Sequence, residues 1–313
     1  MNVLITGALG HIGSKILSRL NEVNNIKNVY IIDNLRSNNI NVLFNLNPKK
    51  IKIKFIRADL INYKILNNIK IKIDVVIHLA SITNMEESFK MKEIIFENNY
   101  RIFKNIVSFC IKKKSKLVHL SSTSVYGYQS KLADENSNNL MPQSPYAEEK
   151  VLEENYLKKR LKKLKFVTLR LGTITGISKG MRFHTAVNKF CLNAILNDYI
   201  PVWGSAMNLY RPYLSLNDAV KTIFFFINNR KFNNQIYNII SSNYTVKEIL
   251  DIIRSFNFKP KIKVVKSPIL NQKSFKVSRK KIDMTGLKLK DDIVNDIKST
   301  LKMLIGINQI NNN

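Results

Sequence analysis

Tyr146 and Lys150 stand four residues apart at the head of a helical pattern in SPYAEEKVLEENYLKK, Ser144 to Lys159, which puts a phenol and an ammonium on one helix face. A phenol in water titrates at about 10, so exchanging a proton at neutral pH requires a stabilised phenolate, and a cation one helical turn away is expected to supply that. Such a couple works with a further hydroxyl that holds the substrate oxygen. The stretch LSSTSVYG, Leu120 to Gly127, offers one at the end of an apolar run. These side chains suit proton transfer at a hydroxyl or ketone whose hydride is handled by a bound carrier.

A site for the carrier is legible near the start. In TGALGHIG the glycines Gly7, Gly10 and Gly13 fall between an apolar β-type run, MNVLITG, and Ile12, Ile16, Leu17 and Leu20 at helical spacing. Without Cβ atoms, the first glycine permits a tight turn, the second lets backbone N–H groups approach a pyrophosphate, and the third lets helix and strand pack closely. A second run, NVYIID, ends in Asp33, twenty residues past Gly13, where a carboxylate accepts hydrogen bonds from an adenosine ribose and repels a 2′-phosphate. The expected cofactor is therefore NAD; Arg36, three residues on, is the feature that would suit NADP. Lys150 is then placed to hydrogen-bond the nicotinamide ribose as well as to act on Tyr146.

Further buried-strand runs are IKFIRADL (Ile53 to Leu60), IDVVIHLA (Ile73 to Ala80), KLVHLSS (Lys116 to Ser122) and FVTLRLG (Phe166 to Gly172), most of them separated by helical patterning. Apolar strands alternating with helices predict a parallel sheet covered on both faces, an α/β, Rossmann-type doubly wound architecture. From about Thr173 the alternation loosens: RFHTAVNKFCLNAIL reads as helical, IPVWG as a short strand, and NQIYNIIS as a strand returning to the sheet. The expected division is a dinucleotide-binding domain over 1–172, with a return segment near 213–241, and a smaller, interleaved C-terminal substrate domain over 173–313. The terminal NQINNN is polar and expected to fray.

With 313 residues, 45% of them hydrophobic, the chain is long enough for a sizeable core. No apolar run of about 18 residues occurs, so no membrane span is expected and the location read is cytoplasmic. Cys110 and Cys191, with His11, His78, His119 and His184, form neither a disulfide framework nor a metal-ligand spacing. The formal charge of +29 invites a nucleic-acid partner, but the lysines are spread along the whole chain with an excess of asparagine and isoleucine, and no nucleic-acid motif accompanies them. Attraction for a phosphorylated small molecule fits the charge.

The blocks TGALGHIG, DNLRS, ADL, HLAS, ENNYRIFKNI, SSTSVYG, SPYAEEK and RPYLSLNDAV, in this order, resemble the extended short-chain dehydrogenase/reductases over most of the chain, and most closely their nucleotide-sugar epimerases of the UDP-glucose 4-epimerase type. The resemblance implies a catalytic set of Ser122, Tyr146 and Lys150, with Thr123 the alternative hydroxyl. It also implies NAD bound by Gly7, Gly10, His11, Ile12, Gly13, Asp33 and Asn34, by Asp59 and Leu60 at the adenine, and by Leu79, Ala80 and Asn99. Ser122, Thr123, Thr173 and Arg211 would meet a nucleotide-sugar substrate, a UDP-sugar being favoured, with Arg211 at the diphosphate.

Where related dehydratases and decarboxylases carry acids just after the catalytic hydroxyl, this chain has Thr123 and Ser124, which favours epimerisation at C4 through a 4-ketone. Alternatives within the family are a reductase, dehydrogenase or dehydratase of a nucleotide sugar; outside catalysis, an NAD-binding regulator. Thr173 stands where many epimerases carry asparagine, and Lys266 or Lys273 stands near where relatives carry a second arginine. A homodimer is expected, built on the helices near 93–112 and 144–163.

Overall fold

The computed structural model describes residues 1–306 apart from 45, 47, 49, 84–88, 90, 91, 130, 138, 266–273 and 291. Lys266, Lys273 and the polar stretch 308–313 lie outside the described residues.

The apolar runs become strands β1 (Asn2–Thr6), β2 (Asn28–Asp33), β3 (Lys52–Arg57), β4 (Val75–His78), β5 (Lys116–Ser122) and β6 (Phe166–Leu171). The residues of β4 and β6 are all buried, as strands covered on both faces must be. Beyond them come β7 (Thr173–Thr175), β8 (Tyr199–Trp203), β9 (Tyr210–Ser215), β10 (Ile236–Ile239), β11 (Ser242–Thr245) and β12 (Lys261–Val265). The main sheet is parallel throughout, in the order β3-β2-β1-β4-β5-β6-β10, the doubly wound Rossmann-type arrangement expected. NQIYNIIS supplies the returning strand, β10, beside β6.

On one face, Ile16 and Leu17 of the helix His11–Ser18 share a core with Ala219, Val220, Ile223 and Phe226 of the helix Leu216–Asn228. On the other, Ile102, Phe103, Ile106 and Val107 of the helix Arg101–Lys113 pack with Leu157 of the helix Pro145–Lys158. The chain reverses its direction of travel across the sheet between β1 and β4, so a crevice opens at their carboxyl ends. Strands β7, β9 and β11 form a three-stranded sheet and β8 pairs with β12. Helices Ala186–Ile195, Val246–Ser255 and Ile293–Leu304 gather a further core around Val187, Ile249, Ile253 and Ile297.

Two helix ends differ from the sequence reading. RFHTAVNKFCLNAIL is helical only over Ala186–Ile195; Arg182 to Thr185 are extended or bent, and Arg182, His184 and Thr185 line the crevice. The helix carrying Tyr146 stops at Lys158, short of the charged run that follows. Among the described residues no helix is long and apolar enough to cross a membrane.

Candidate active site

A cavity of about 850 Å³ runs along the carboxyl ends of the main strands, from Asp33 past the glycine turn to Ser122 and Tyr146, and on to Arg211. Its floor is the turn between β1 and the first helix. Gly7 has φ +65°, and a Cβ there would come within 2.6 Å of the Ala80 backbone; a Cβ on residue 13 would meet the Ala8 carbonyl oxygen at 2.4 Å. Strand β4 and the first helix therefore approach that turn as closely as glycine allows. Thr6 Oγ1 accepts from the N–H groups of Leu79 and Ala80, at 3.2 and 3.3 Å, fixing the end of β4 against β1. This is the shape a dinucleotide pyrophosphate requires, so the residues present fit NAD.

Asp33 ends β2 with its Oδ2 accepting from Leu9 N–H at 3.1 Å and its Oδ1 from Leu35 N–H at 2.9 Å. Asn34 and Arg36 line the same end of the cavity, as do His11, Ile12, Leu60, Leu79 and Ala80. Burial first, then the charges of Arg182 and His184, push the His11 imidazole down to about 4, so it is neutral at physiological pH, with Nδ1 2.8 Å from Ser178 Oγ. Two expected cofactor residues sit differently. Asn99 is buried with Oδ1 accepting from Ile82 N–H at 2.8 Å and Nδ2 donating to Ile82 C=O at 3.0 Å, which occupies its amide as a brace on that loop; Asn98 is the neighbour that lines the cavity. Asp59 accepts from Ile61 N–H at 2.9 Å and from Asn34 Nδ2 at 3.2 Å, capping its own turn, and the cavity is lined there by Ala58 and Leu60.

At the other end Ser122, Thr123, Tyr146 and Lys150 come together. Ser144 caps the helix by accepting from Ala147 N–H at 3.2 Å, with Pro145 in its first turn, so the helix starts one residue before Tyr146 and presents the phenol to the crevice. Ser122 Oγ accepts from Ser124 N–H at 3.1 Å and Ser124 O–H at 2.9 Å, and neither bond uses its own proton. Thr123 donates to Leu171 C=O at 3.2 Å, which leaves Ser122 as the less committed hydroxyl.

The expected acid/base couple is brought together, and the charge of Lys150 is answered by a neighbouring carboxyl. Lys150 Nζ lies 5.6 Å from the Tyr146 ring centre and is paired with Glu153 Oε2 at 2.6 Å. Burial pushes the Tyr146 phenol up to about 12, and the charges of Glu149 and Glu153 oppose the lowering effect of Lys150. Sequence spacing brought Lys150 to Tyr146; it gave no sign that two carboxyls on the same helix face would answer its charge.

The cavity is also lined by Thr173, Arg182, His184, Lys189 and Arg211. Arg182 donates from Nη1 to Thr83 Oγ1 at 3.0 Å, and a Cβ on Gly10 would lie 3.5 Å from its Nη2. Nothing in the sequence marked it, since it stands in a stretch of helical periodicity. Arg211 donates to Tyr210 C=O at 2.7 Å and lies over the Phe275 ring. Among the described lining residues, Arg36, Lys150, Arg182, Lys189 and Arg211 face a single carboxylate, Asp33.

Residues 3–239 match the model of the NAD dependent epimerase/dehydratase family. The ADP-L-glycero-D-manno-heptose-6-epimerase of Brachyspira hyodysenteriae is 29% identical over 236 residues, 72% of each chain. The UDP-N-acetylglucosamine 4-epimerase of Methanobrevibacter ruminantium M1, solved in complex with UDP-N-acetylmuramic acid, matches with TM-score 0.82 at 26% identity over 97% of this chain and 98% of that one. A dTDP-glucose 4,6-dehydratase of Streptomyces venezuelae, solved with NAD bound, shares the fold with TM-score 0.84 at 19% identity over 97% of each chain.

Proposed function

The chain belongs to the NAD dependent epimerase/dehydratase family of extended short-chain dehydrogenase/reductases, and from that premise we propose that it is an epimerase inverting C4 of a UDP-hexose through a transient 4-ketone. The carrying observation is the distribution of acids: among the described residues lining the cavity the one carboxylate is Asp33, at the adenosine end. Dehydration needs a second acid or base at the sugar, whereas oxidation and re-reduction of one hydroxyl need one proton-transfer group. Support for a UDP-sugar comes from the similarity to a UDP-sugar 4-epimerase.

In this reading Tyr146, as phenolate, takes the proton of the 4-hydroxyl and later returns it to the ketone oxygen, and Ser122 donates a hydrogen bond to that oxygen. NAD, when bound, would supply the hydride acceptor and donor for C4. Lys150 and the glycine turn hold the cofactor, Asp33 its adenosine ribose, and Arg211, with Thr173 and Thr123 nearby, the substrate. A diphosphate leaving water must be met by fixed cations, and the cavity's excess of lysine and arginine suits it.

The test is incubation of enzyme and NAD with UDP-glucose, UDP-galactose and their N-acetyl and uronate relatives in deuterated water, following the anomeric protons. The expected product is the C4 epimer with no deuterium at C4, because the same hydride returns. Solvent deuterium at C5 with a 4-keto-6-deoxy product would make the chain a dehydratase, and steady consumption of NADH a reductase.

Asp33 sets a second expectation. A 2′-phosphate beside its carboxylate is a like-charge contact costing several kcal/mol, so wild type should bind NAD more than about tenfold tighter than NADP, and Asp33→Ala should narrow the gap. Equal fluorescence titrations of wild type with the two cofactors would shift the determinant to Arg36.

Ile94 and Leu152 are large apolar side chains left 49% and 40% exposed on the helical segments beside Tyr100 and Tyr156, and a homodimer pairing these segments with their symmetry mates would cover them. Light scattering should give the mass of a dimer at micromolar concentration; a monomer would remove this assembly.

A further inference from the structure

Behind Lys150, outside the cavity, the helix Pro145–Lys158 buries Glu149 and Glu153, with 0% and 1% of their surfaces exposed. Glu153 Oε2 accepts from Lys150 Nζ at 2.6 Å and from His119 Nε2 at 2.9 Å. Burial and then Lys150 hold His119 down to about 3, so it is neutral, donating through Nε2–H while Nδ1 faces Thr168 Oγ1 at 3.1 Å. Glu153 thus receives two donors on one oxygen. Glu149 is different: Lys150 Nζ is 3.6 Å from its Oε2, and among the described residues neither of its oxygens lies within geometric hydrogen-bond reach of a partner. A buried carboxylate without donors beside another carboxylate is strongly disfavoured. Burial first, then the charge of Glu153, holds the Glu149 carboxyl well above the usual range.

Among the described residues, the other titratable and charged groups around Tyr146 and Lys150 are His78 from β4, His119 from β5 and Arg182 from the loop before Ala186. His78 is held neutral by burial and Lys150. Glu154 is closed separately on Arg170. The balance at Lys150 therefore rests on the two carboxyls.

We propose that Glu149 and Glu153 form a carboxyl pair that shares one proton and one negative charge, and that this charge offsets Lys150 so that Tyr146 is kept protonated in the free enzyme. Both are positioning residues: they act on Tyr146 through Lys150 and touch no substrate. Their effect rests on Tyr146 being the proton-transfer group of the proposed epimerase. A shared charge has a distinctive consequence. Removing either carboxyl leaves the charge on the other, since each lies within ion-pair distance of Lys150, so single substitutions should change the field at Tyr146 little and the double substitution should change it strongly.

Infrared difference spectra of wild type, Glu149→Gln and Glu153→Gln at neutral pH in deuterated buffer read the proton directly. The carbonyl band of one protonated carboxyl should be present in wild type and absent from both variants. A band that survives in Glu153→Gln would mean that Glu149 holds its own proton, and would overturn the pair. This measurement needs no substrate and no double variant, so it stands or falls apart from the C4 assignment and from any folding defect of the doubly substituted chain. The pH profile of turnover on the UDP-sugar found active gives the coupling: the limb reporting Tyr146 should move toward acid by about one unit or more in Glu149→Gln/Glu153→Gln and by less than half as much in either single variant. Equal, additive shifts from the singles, or an unmoved limb in the folded double variant, would defeat it.

Discussion

Tyr146→Phe is expected to lose turnover by about two to four orders of magnitude, the usual contribution of a positioned acid/base, while retaining NAD. The substitution keeps the ring, and with it the contact with Lys150 Nζ 5.6 Å from its centre; only the hydroxyl is removed. Cofactor affinity should therefore stay within a few-fold by fluorescence titration. Lys150→Ala should behave differently. It removes the ammonium that holds the cofactor ribose in the proposed arrangement and strands Glu153, whose Oε2 lies 2.6 Å from Nζ, so both affinity and turnover should fall. Near-normal turnover of the phenylalanine variant would transfer proton exchange to another group in the same pocket. Ser122 would be the first to examine, because it lines the cavity and its proton is not used in its bonds to Ser124.

The parts of this site visible in the sequence are those whose constraint is local. Gly7, Gly10 and Gly13 are spaced by what a single turn needs, and Asp33 by one strand–helix–strand passage, so both were readable without knowing what else packs there. Ser144, Tyr146 and Lys150 were readable because capping and a one-turn spacing act within one helix. What was hidden depends on partners far along the chain. Glu149 and Glu153 sit in a run that looks like any solvated lysine and glutamate stripe, yet both are buried, Glu153 as the acceptor between Lys150 and His119 from β5. Asn99 is drawn to the Ile82 backbone, seventeen residues away in sequence. Arg182 was masked by the helical spacing of its neighbours, and its meeting with Thr83 spans 99 residues. The positive charge, diffuse in the sequence, leaves the cavity with more cations than anions: Arg36, Lys150, Arg182, Lys189 and Arg211 line it, and Asp33 is the sole described carboxylate among its lining residues.

The same helix carries the side chain whose loss should cost most in stability. Glu154 holds Arg170 through two bonds, 2.8 Å from Nε and 2.6 Å from Nη2, and accepts from Ser121 Oγ at 2.7 Å. Both charged partners are 2% exposed. Arg170 also lies 4.8 Å from the centre of the Tyr126 ring, whose hydroxyl donates to Asn238 Oδ1 at 2.8 Å, so the pair fastens the helix through β6 to β10. Glu154→Ala leaves a buried guanidinium with no counter-charge, and should lower stability by about 3–5 kcal/mol. Replacing both partners with apolar residues of similar volume, Glu154→Leu with Arg170→Met, should cost far less, because the penalty comes from the orphaned charge and not from the lost attraction. Acidity should expose the same pair in wild type. Burial alone would raise the Glu154 carboxyl, but the Arg170 hydrogen bonds and charge overcome it and hold its pKa below the ordinary value. A depressed folded pKa stabilises above the unfolded one, so this contribution should be complete near neutrality and disappear as pH falls through the folded value. Urea midpoints with an unchanged m-value, measured from neutral pH downward, would show the variant's deficit shrinking on the acid side. A deficit below about 1 kcal/mol for Glu154→Ala at neutral pH would mean that solvent or another acceptor reaches Arg170, and that the helix is fastened to the sheet by its apolar contacts instead.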